Sequence, residues 1–259
     1  MIPYAFFLDI DDTILWKGQV SPRVVSAMEE ARKKGHFVFI NTGRAPSFLD
    51  PPLPSLPVDG FVCGCGAYIR MGKEEIFRAE YPTKALKKWM RRLSGEGDPG
   101  FVVEGIHRIF RYRNSYWTPG PQWILSDSMV EFDTYLSGDT VIKANICNDL
   151  TDPSILPELE RDFHVIHHPT EHYTECCPKG CSKAKGMAKV MEKLGLPLSL
   201  SVAIGDSEND LDMIDAAGIG IVMGQAREEI RRHADRVTAP IEEDGAALAI
   251  EELIREESK

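Results

Sequence analysis

The sequence predicts an α/β protein: a doubly wound parallel sheet interrupted by a smaller inserted α+β domain. Three observations lead there. Short apolar runs alternate with amphipathic helix patterns over residues 1–81 and again over residues 182–259. Several runs end in clusters of Asp, Thr, Asn and Gly, at the strand ends where open parallel sheets carry their sites. Between them, residues 82–181 change texture to short aromatic-rich segments with separate helices, which reads as α+β.

Residues 5–8 form an apolar run fit for a buried strand. A helix follows over 22–34. Ser21 caps it, Pro22 takes its first position, Gly35 ends it, and Val24, Ala27, Met28 and Ala31 make its apolar stripe. Residues 37–40 are a second buried strand, so strand, helix and strand make a βαβ unit with parallel pairing. A proline-rich loop (46–57), a third strand (61–65) and a hairpin of 67–70 with 76–78 around Gly72 complete the first segment. In the insertion, Lys84, Lys87, Lys88, Arg91 and Arg92 share one helical face, and Leu86, Trp89, Met90 and Leu93 another. Short, mixed segments rich in aromatics follow at 101–103, 108–112, Trp123, Tyr135 and 141–146, with a helix over 152–163. The alternation resumes with a helix at 183–194 stopped by Gly195, and a strand at 200–204. A helix at 210–217, a strand at 218–222, a helix at 226–233, an extended pair at 236–237 and a closing helix at 246–255 complete it.

The 259 residues are 43% hydrophobic, enough for one large or two modest domains. The formal net charge of −10 repels phosphodiester backbones and argues against a nucleic-acid partner. No apolar run approaches the ~20 residues that span a bilayer, and no signal-peptide pattern opens the chain. A cytoplasmic protein without membrane association is expected. Of the six cysteines, Cys176, Cys177 and Cys181 lie just after His167, His168 and His172. That spacing matches no common zinc pattern, so reduced thiols and ordinary histidines are expected.

Four strand or helix boundaries carry the chemistry. The first is Asp9-Ile10-Asp11-Asp12-Thr13. Clustered carboxylates repel and cannot be buried unpaired; a divalent cation such as Mg²⁺ resolves the conflict. Asp9 and Asp11, one strand period apart, share a face, and Asp12 turns aside. The second, Thr42-Gly43-Arg44, offers a hydroxyl and a close backbone amide to a phosphoryl oxygen. In the third, Lys183 opens a helix, where a cation is disfavoured unless anions lie near. The fourth, Gly205-Asp206-Ser207-Glu208-Asn209-Asp210, is a second carboxylate set after a buried strand. Taken singly, each also fits an acidic turn, a plain loop or a surface lysine.

Together, in this order, they resemble the four signature motifs of the haloacid dehalogenase superfamily. Asp9-Ile-Asp11-Asp12-Thr13 matches its Asp-x-Asp-x-Thr; Thr42, Lys183, and Asp206 with Asp210 match the other three. The insertion between the second and third motifs is where this superfamily places a C2-type cap. Glu175 to Lys183, Gly205 to Met213 and Met223-Gly224 resemble the Cof-type subfamily. One departure is Cys65-Gly66-Ala67, where that subfamily often has Asn-Gly-Ala.

The resemblance implies a catalytic core of residues 1–81 and 182–259 and a cap of residues 82–181. It implies Mg²⁺-dependent hydrolysis of a small phosphorylated metabolite, such as a sugar phosphate, through an aspartyl-phosphate. Asp9 would be the nucleophile and Asp11 the acid/base. Asp9, Asp11 and Asp206 would hold the metal, with Asp210 orienting them from behind. Thr42, Gly43 and Lys183 would bind the phosphoryl group, and Arg44 and Asn209 would contact substrate. Arg111, Tyr112, Arg113 and Trp117 are cap candidates for the leaving group, against a packing role. Two other readings use similar residues: a phosphosugar mutase and a non-enzymatic receiver-like phosphoacceptor. Neither the substrate nor the oligomeric state is legible in these motifs.

Overall fold

The computed structural model describes residues 3–93, 100–113, 122–147, 153–168 and 173–256. They form two compact units. The first comprises Met1–Gly43, Asp50–Phe77 and Ser182–Lys259; the second comprises Arg44–Leu49 and Arg78–Cys181.

The first unit begins with β1 (Ala5–Leu8), buried at every residue. A small hairpin, β2 (Leu15–Trp16) with β3 (Gln19–Val20), precedes α1 (Pro22–Lys33). The Ser21 hydroxyl caps α1 by accepting the Arg23 N–H, and Gly35 supplies the left-handed turn beyond it at φ 88°. Then come β4 (Phe37–Asn41), β5 (Gly60–Cys63), β6 (Tyr68–Met71) and β7 (Glu74–Arg78).

The second unit starts with α2 (Thr83–Leu93), followed by β8 (Phe101–Gly105), β9 (Ile109–Tyr112) and β10 (Trp123–Ser126). Next are α3 (Met129–Gly138), β11 (Val141–Cys147), α4 (Leu156–Asp162), β12 (His164–His168) and β13 (Tyr173–Cys177). Its sheet runs β10-β9-β8-β11-β13-β12. One face packs Phe101, Val103, Phe110, Ala144 and Ile146 against Leu86, Trp89, Phe132, Tyr135 and Leu159 of the helices. The basic face of α2 is neutralised rather than free: Lys87 pairs with Asp133, Lys88 with Asp162 and Arg92 with Glu158.

The first unit resumes with α5 (Lys183–Leu194), β14 (Ser201–Gly205), α6 (Leu211–Ala216), β15 (Ile219–Val222), α7 (Glu228–Arg231), β16 (Arg236–Val237) and α8 (Gly245–Glu256). Its eight-stranded sheet has the order β16-β15-β14-β1-β4-β5-β6-β7. The strands from β16 to β5 are parallel, and β6 runs antiparallel to β5. The register fixes the site. Leu8 lies opposite Ile40 on one side and Ile204 on the other, so the next residues of three strands emerge in one row.

Several elements differ from expectation. The helix expected over 226–233 is confined to Glu228–Arg231, because Arg227 keeps an extended backbone at its start. Helix α3 and strands β12 and β13 were not anticipated. Only Phe132 and Tyr135 of α3 are buried, which leaves little apolar periodicity. His168, Thr174 and Glu175 are polar yet buried, which hides the strand alternation. Among the described residues, no helix is long and apolar enough to cross a membrane.

Candidate active site

Asp9 leaves β1 with its N–H bonded to the Ile204 carbonyl at 3.0 Å, and it is buried. Lys183, wholly buried at the start of α5, reaches both Asp9 Oδ1 at 2.7 Å and Asp210 Oδ1 at 2.6 Å. Two devices place that lysine. Asn41 at the end of β4 donates its Nδ2 to the Lys183 carbonyl at 3.0 Å. Gly66, at φ 82°, lets the chain press on Ser182, whose carbonyl would lie 2.3 Å from any added Cβ.

Asp210 holds the loop after β14. Its Oδ2 accepts the N–H groups of Asp206 and Ser207, both at 3.0 Å. Gly205 makes this possible, since a Cβ there would meet the Asp210 carboxyl carbon at 2.4 Å. Asp206 is braced by Thr13, whose hydroxyl donates to its Oδ1 at 3.1 Å. Thr13 stood in the first motif without a role of its own; its spacing from Asp9 is the signal that could have assigned one.

Ligand oxygens of Asp9, Asp206 and Asp210 lie within 4.8 Å of one another. Three carboxylates thus share a single ammonium, Lys183. Burial and then Asp210 push the Asp9 carboxyl up to about 7. Burial, Asp210 and Asp9 push Asp206 up to about 9. Burial alone would lower Lys183, but Asp210 and Asp9 outweigh it and hold its ammonium well above the ordinary range. Such a set favours a further cation, and its donors are hard oxygens.

The remaining site residues are distributed differently. Asp11 stands exposed at the turn after Asp9. Thr42 is buried, its N–H bonded to the Val62 carbonyl, with Gly43 buried beside it. Asn209 accepts the Ser207 hydroxyl at 3.1 Å. Arg44 belongs to the second unit, donates to the Phe48 carbonyl at 3.2 Å and lies over the Phe48 ring. Cys65 takes a left-handed backbone, φ 50°, which asparagine tolerates better than cysteine.

In the second unit, Tyr112 packs in the hydrophobic core, the packing role set against a leaving-group contact. Arg111 and Arg113 line a surface recess of about 540 Å³ with Ser126 and Glu131. Trp117 lies outside the described residues, as does His172. Strand alternation sends His167 and His168, and likewise Cys176 and Cys177, to opposite faces. His168 bonds Glu175, and Cys176 packs in the core, where burial drives its thiol far above the usual range.

Residues 6–250 match the family model of haloacid dehalogenase-like hydrolases. The Bacillus subtilis protein YkrA, named as a candidate phosphatase, is 30% identical over 95% of this chain and 96% of its own. The 5-amino-6-(5-phospho-D-ribitylamino)uracil phosphatase YitU of the same organism is 26% identical, over 96% and 97%. The solved structure of BT4131, a subclass IIB sugar phosphatase, superposes with a TM-score of 0.80 at 25% identity, over 96% of this chain and 98% of that one. The chain belongs to the haloacid dehalogenase-like hydrolases and is a phosphatase of that family, with an α/β core and an inserted cap domain.

Proposed function

We propose that this phosphatase hydrolyses small phosphorylated metabolites, sugar phosphates foremost, through an aspartyl-phosphate on Asp9. The observation that carries the reading is the cluster of buried Asp9 and Asp210 and half-buried Asp206 around Lys183, with its surplus of negative charge. Asp9, Asp206 and the Asp11 backbone would hold Mg²⁺, which when bound neutralises charge on the phosphoryl oxygens. Asp210 serves from behind, since its oxygens are engaged by Lys183 and two amides.

The residues divide the reaction as follows. A carboxylate oxygen of Asp9 attacks phosphorus, and the bond from phosphorus to the leaving oxygen breaks. Asp11 gives its proton to that oxygen. Asp11, now ionised, takes a proton from water; the water oxygen attacks phosphorus, the bond to Asp9 breaks, and inorganic phosphate leaves. Lys183 offsets the charge beside the nucleophile, and the Thr42 hydroxyl and Gly43 amide donate to phosphoryl oxygens. Arg44 and Asn209 are assigned to substrate contact.

The BT4131 comparison supports sugar phosphates as the substrate class. A cap over residues 82–181 would exclude water and shape the leaving-group site. Among the described residues, five free, buried cysteines suit a reducing cytoplasm.

Release of phosphate from p-nitrophenyl phosphate tests the reading. Mg²⁺ should support turnover, EDTA should silence it, and Asp9→Asn should abolish it without loss of the folded state. Turnover that survives exhaustive chelation, or full activity in Asp9→Asn, contradicts it.

A further inference from the structure

The turn that carries Asp11 is held from outside at two places, by the Thr13 hydroxyl on Asp206 and by the side-chain amide of Gln225. Thr13, Ile14 and Leu15 all direct their N–H groups at the Ile10 carbonyl, at 3.3, 3.0 and 2.9 Å. The chain therefore closes tightly around Asp11 and Asp12. Asp12 takes a left-handed backbone at φ 52°, which is disfavoured for a residue with a β-carbon.

The Asp12 carbonyl accepts a hydrogen bond of 2.5 Å from Gln225 Nε2. Gln225 Oε1 in turn accepts the Ile241 N–H at 3.0 Å. One amide, donor and acceptor at once, thus ties the turn to two other loops. Both loops are fixed in their own right. The Met223 N–H bonds the Gly205 carbonyl at 3.0 Å, and the Gly224 N–H bonds the Ala239 carbonyl at 3.2 Å.

We propose that Gln225 is a positioning residue: by holding the Asp12 carbonyl it keeps the turn in the conformation that aims the Asp11 carboxyl at the leaving oxygen. The inference rests on Asp11 as the acid of the proposed mechanism. Gln225 touches no reacting atom in this role. It acts through the backbone of Asp12, whose unfavourable φ would relax once the clamp is gone. Asp11 stands exposed at that turn, on the backbone that Gln225 holds.

The test compares Gln225→Ala with Gln225→Glu on two aryl phosphates. Glutamate keeps an acceptor for the Ile241 N–H but loses the donor for the Asp12 carbonyl. Phenolate, the poorer leaving group, depends on protonation more than p-nitrophenolate does. A misaimed acid should therefore lower kcat/KM for phenyl phosphate roughly tenfold more than for p-nitrophenyl phosphate, in both variants. Tm should move by no more than a few degrees.

Wild-type kcat/KM in Gln225→Glu would assign the side chain to the Ile241 loop alone and overturn the proposal. Equal losses on the two substrates would make it a general brace, with the same consequence. A wild type inert toward both aryl phosphates would instead remove the proposed reaction of Asp9 and Asp11 on these monoesters, and this inference with it.

Discussion

Both units bury a cluster of charged side chains, and the two clusters balance differently. In the second unit, Lys143 lies 3.0 Å from Glu175 and 3.6 Å from Glu104. His168 bonds the other Glu175 oxygen at 3.0 Å, and Asn145 and the Ala45 N–H bond Glu104 at 2.6 and 2.9 Å. Burial alone would raise Glu175, yet Lys143 and His168 more than offset it and hold the carboxyl well below the usual range. In the first unit, three carboxylates share Lys183, and Asp9 and Asp206 are pushed up instead. A balanced buried cluster needs nothing further. An anionic surplus at the end of a parallel sheet calls for a cation, and that difference separates a scaffold from a candidate site.

Neutralising one carboxylate breaks the comparison most sharply. Asp206→Asn should lower Mg²⁺-dependent turnover by at least about a hundredfold, since several kcal/mol of charge stabilisation depend on the bound cation. In EDTA the same variant should unfold at higher urea than wild type, because it relieves the surplus. Lower stability in EDTA would contradict the charge argument.

The corresponding change in the balanced cluster should act with the opposite sign. Glu175→Gln strands Lys143 in a buried site and should cost about 3–5 kcal/mol in urea unfolding. A loss below about 1 kcal/mol would show that Glu104 alone satisfies the lysine.

The pH dependence sharpens the contrast. Asp9 and Asp206 move from an ordinary 3.8 to about 7 and about 9 in the folded chain. A carboxyl with a raised folded pKa holds protons that the unfolded chain has released. Metal-free stability should therefore fall as pH rises from about 4 toward 9, by a few kcal/mol, and Mg²⁺ should remove the decline. Glu175 is depressed, so its contribution is present above its ordinary 4.5 and is lost as pH falls below it. Urea midpoints at pH 5 and pH 8, with EDTA or Mg²⁺, check the first arm, and midpoints at about pH 3 and pH 5 check the second.

A smaller effect concerns the Asp11 turn. Asp12→Gly removes the left-handed penalty at φ 52° and should raise stability by up to about 1 kcal/mol. A loss of stability would mean that the Asp12 side chain contributes more than its backbone strain costs.

The legibility of the sequence follows the same division. Strands β1, β4 and β14 and helices α1 and α5 could be read because apolar runs, Ser caps and glycine stops all agree there. The four motifs could be placed at strand ends for the same reason. The convergence of Lys183 on both Asp9 and Asp210 could not be read, because it depends on register across β4, β1 and β14. In the second unit, the buried polar face of β12 and β13 defeats a rule that equates polar with exposed. Gln225 carried no signal at all. Its two backbone partners lie 213 and 16 residues away, and only the folded loops bring them together.

The most direct measurement is to trap the phosphorylated enzyme during turnover and map the modified residue. Wild type quenched in acid after mixing with p-nitrophenyl phosphate and Mg²⁺ should carry one phosphoryl group on the peptide containing Asp9, labile to hydroxylamine and missing in Asp9→Asn. A phosphoryl group on any other residue, or steady turnover with none on the chain, would contradict Asp9 as the nucleophile of the cluster.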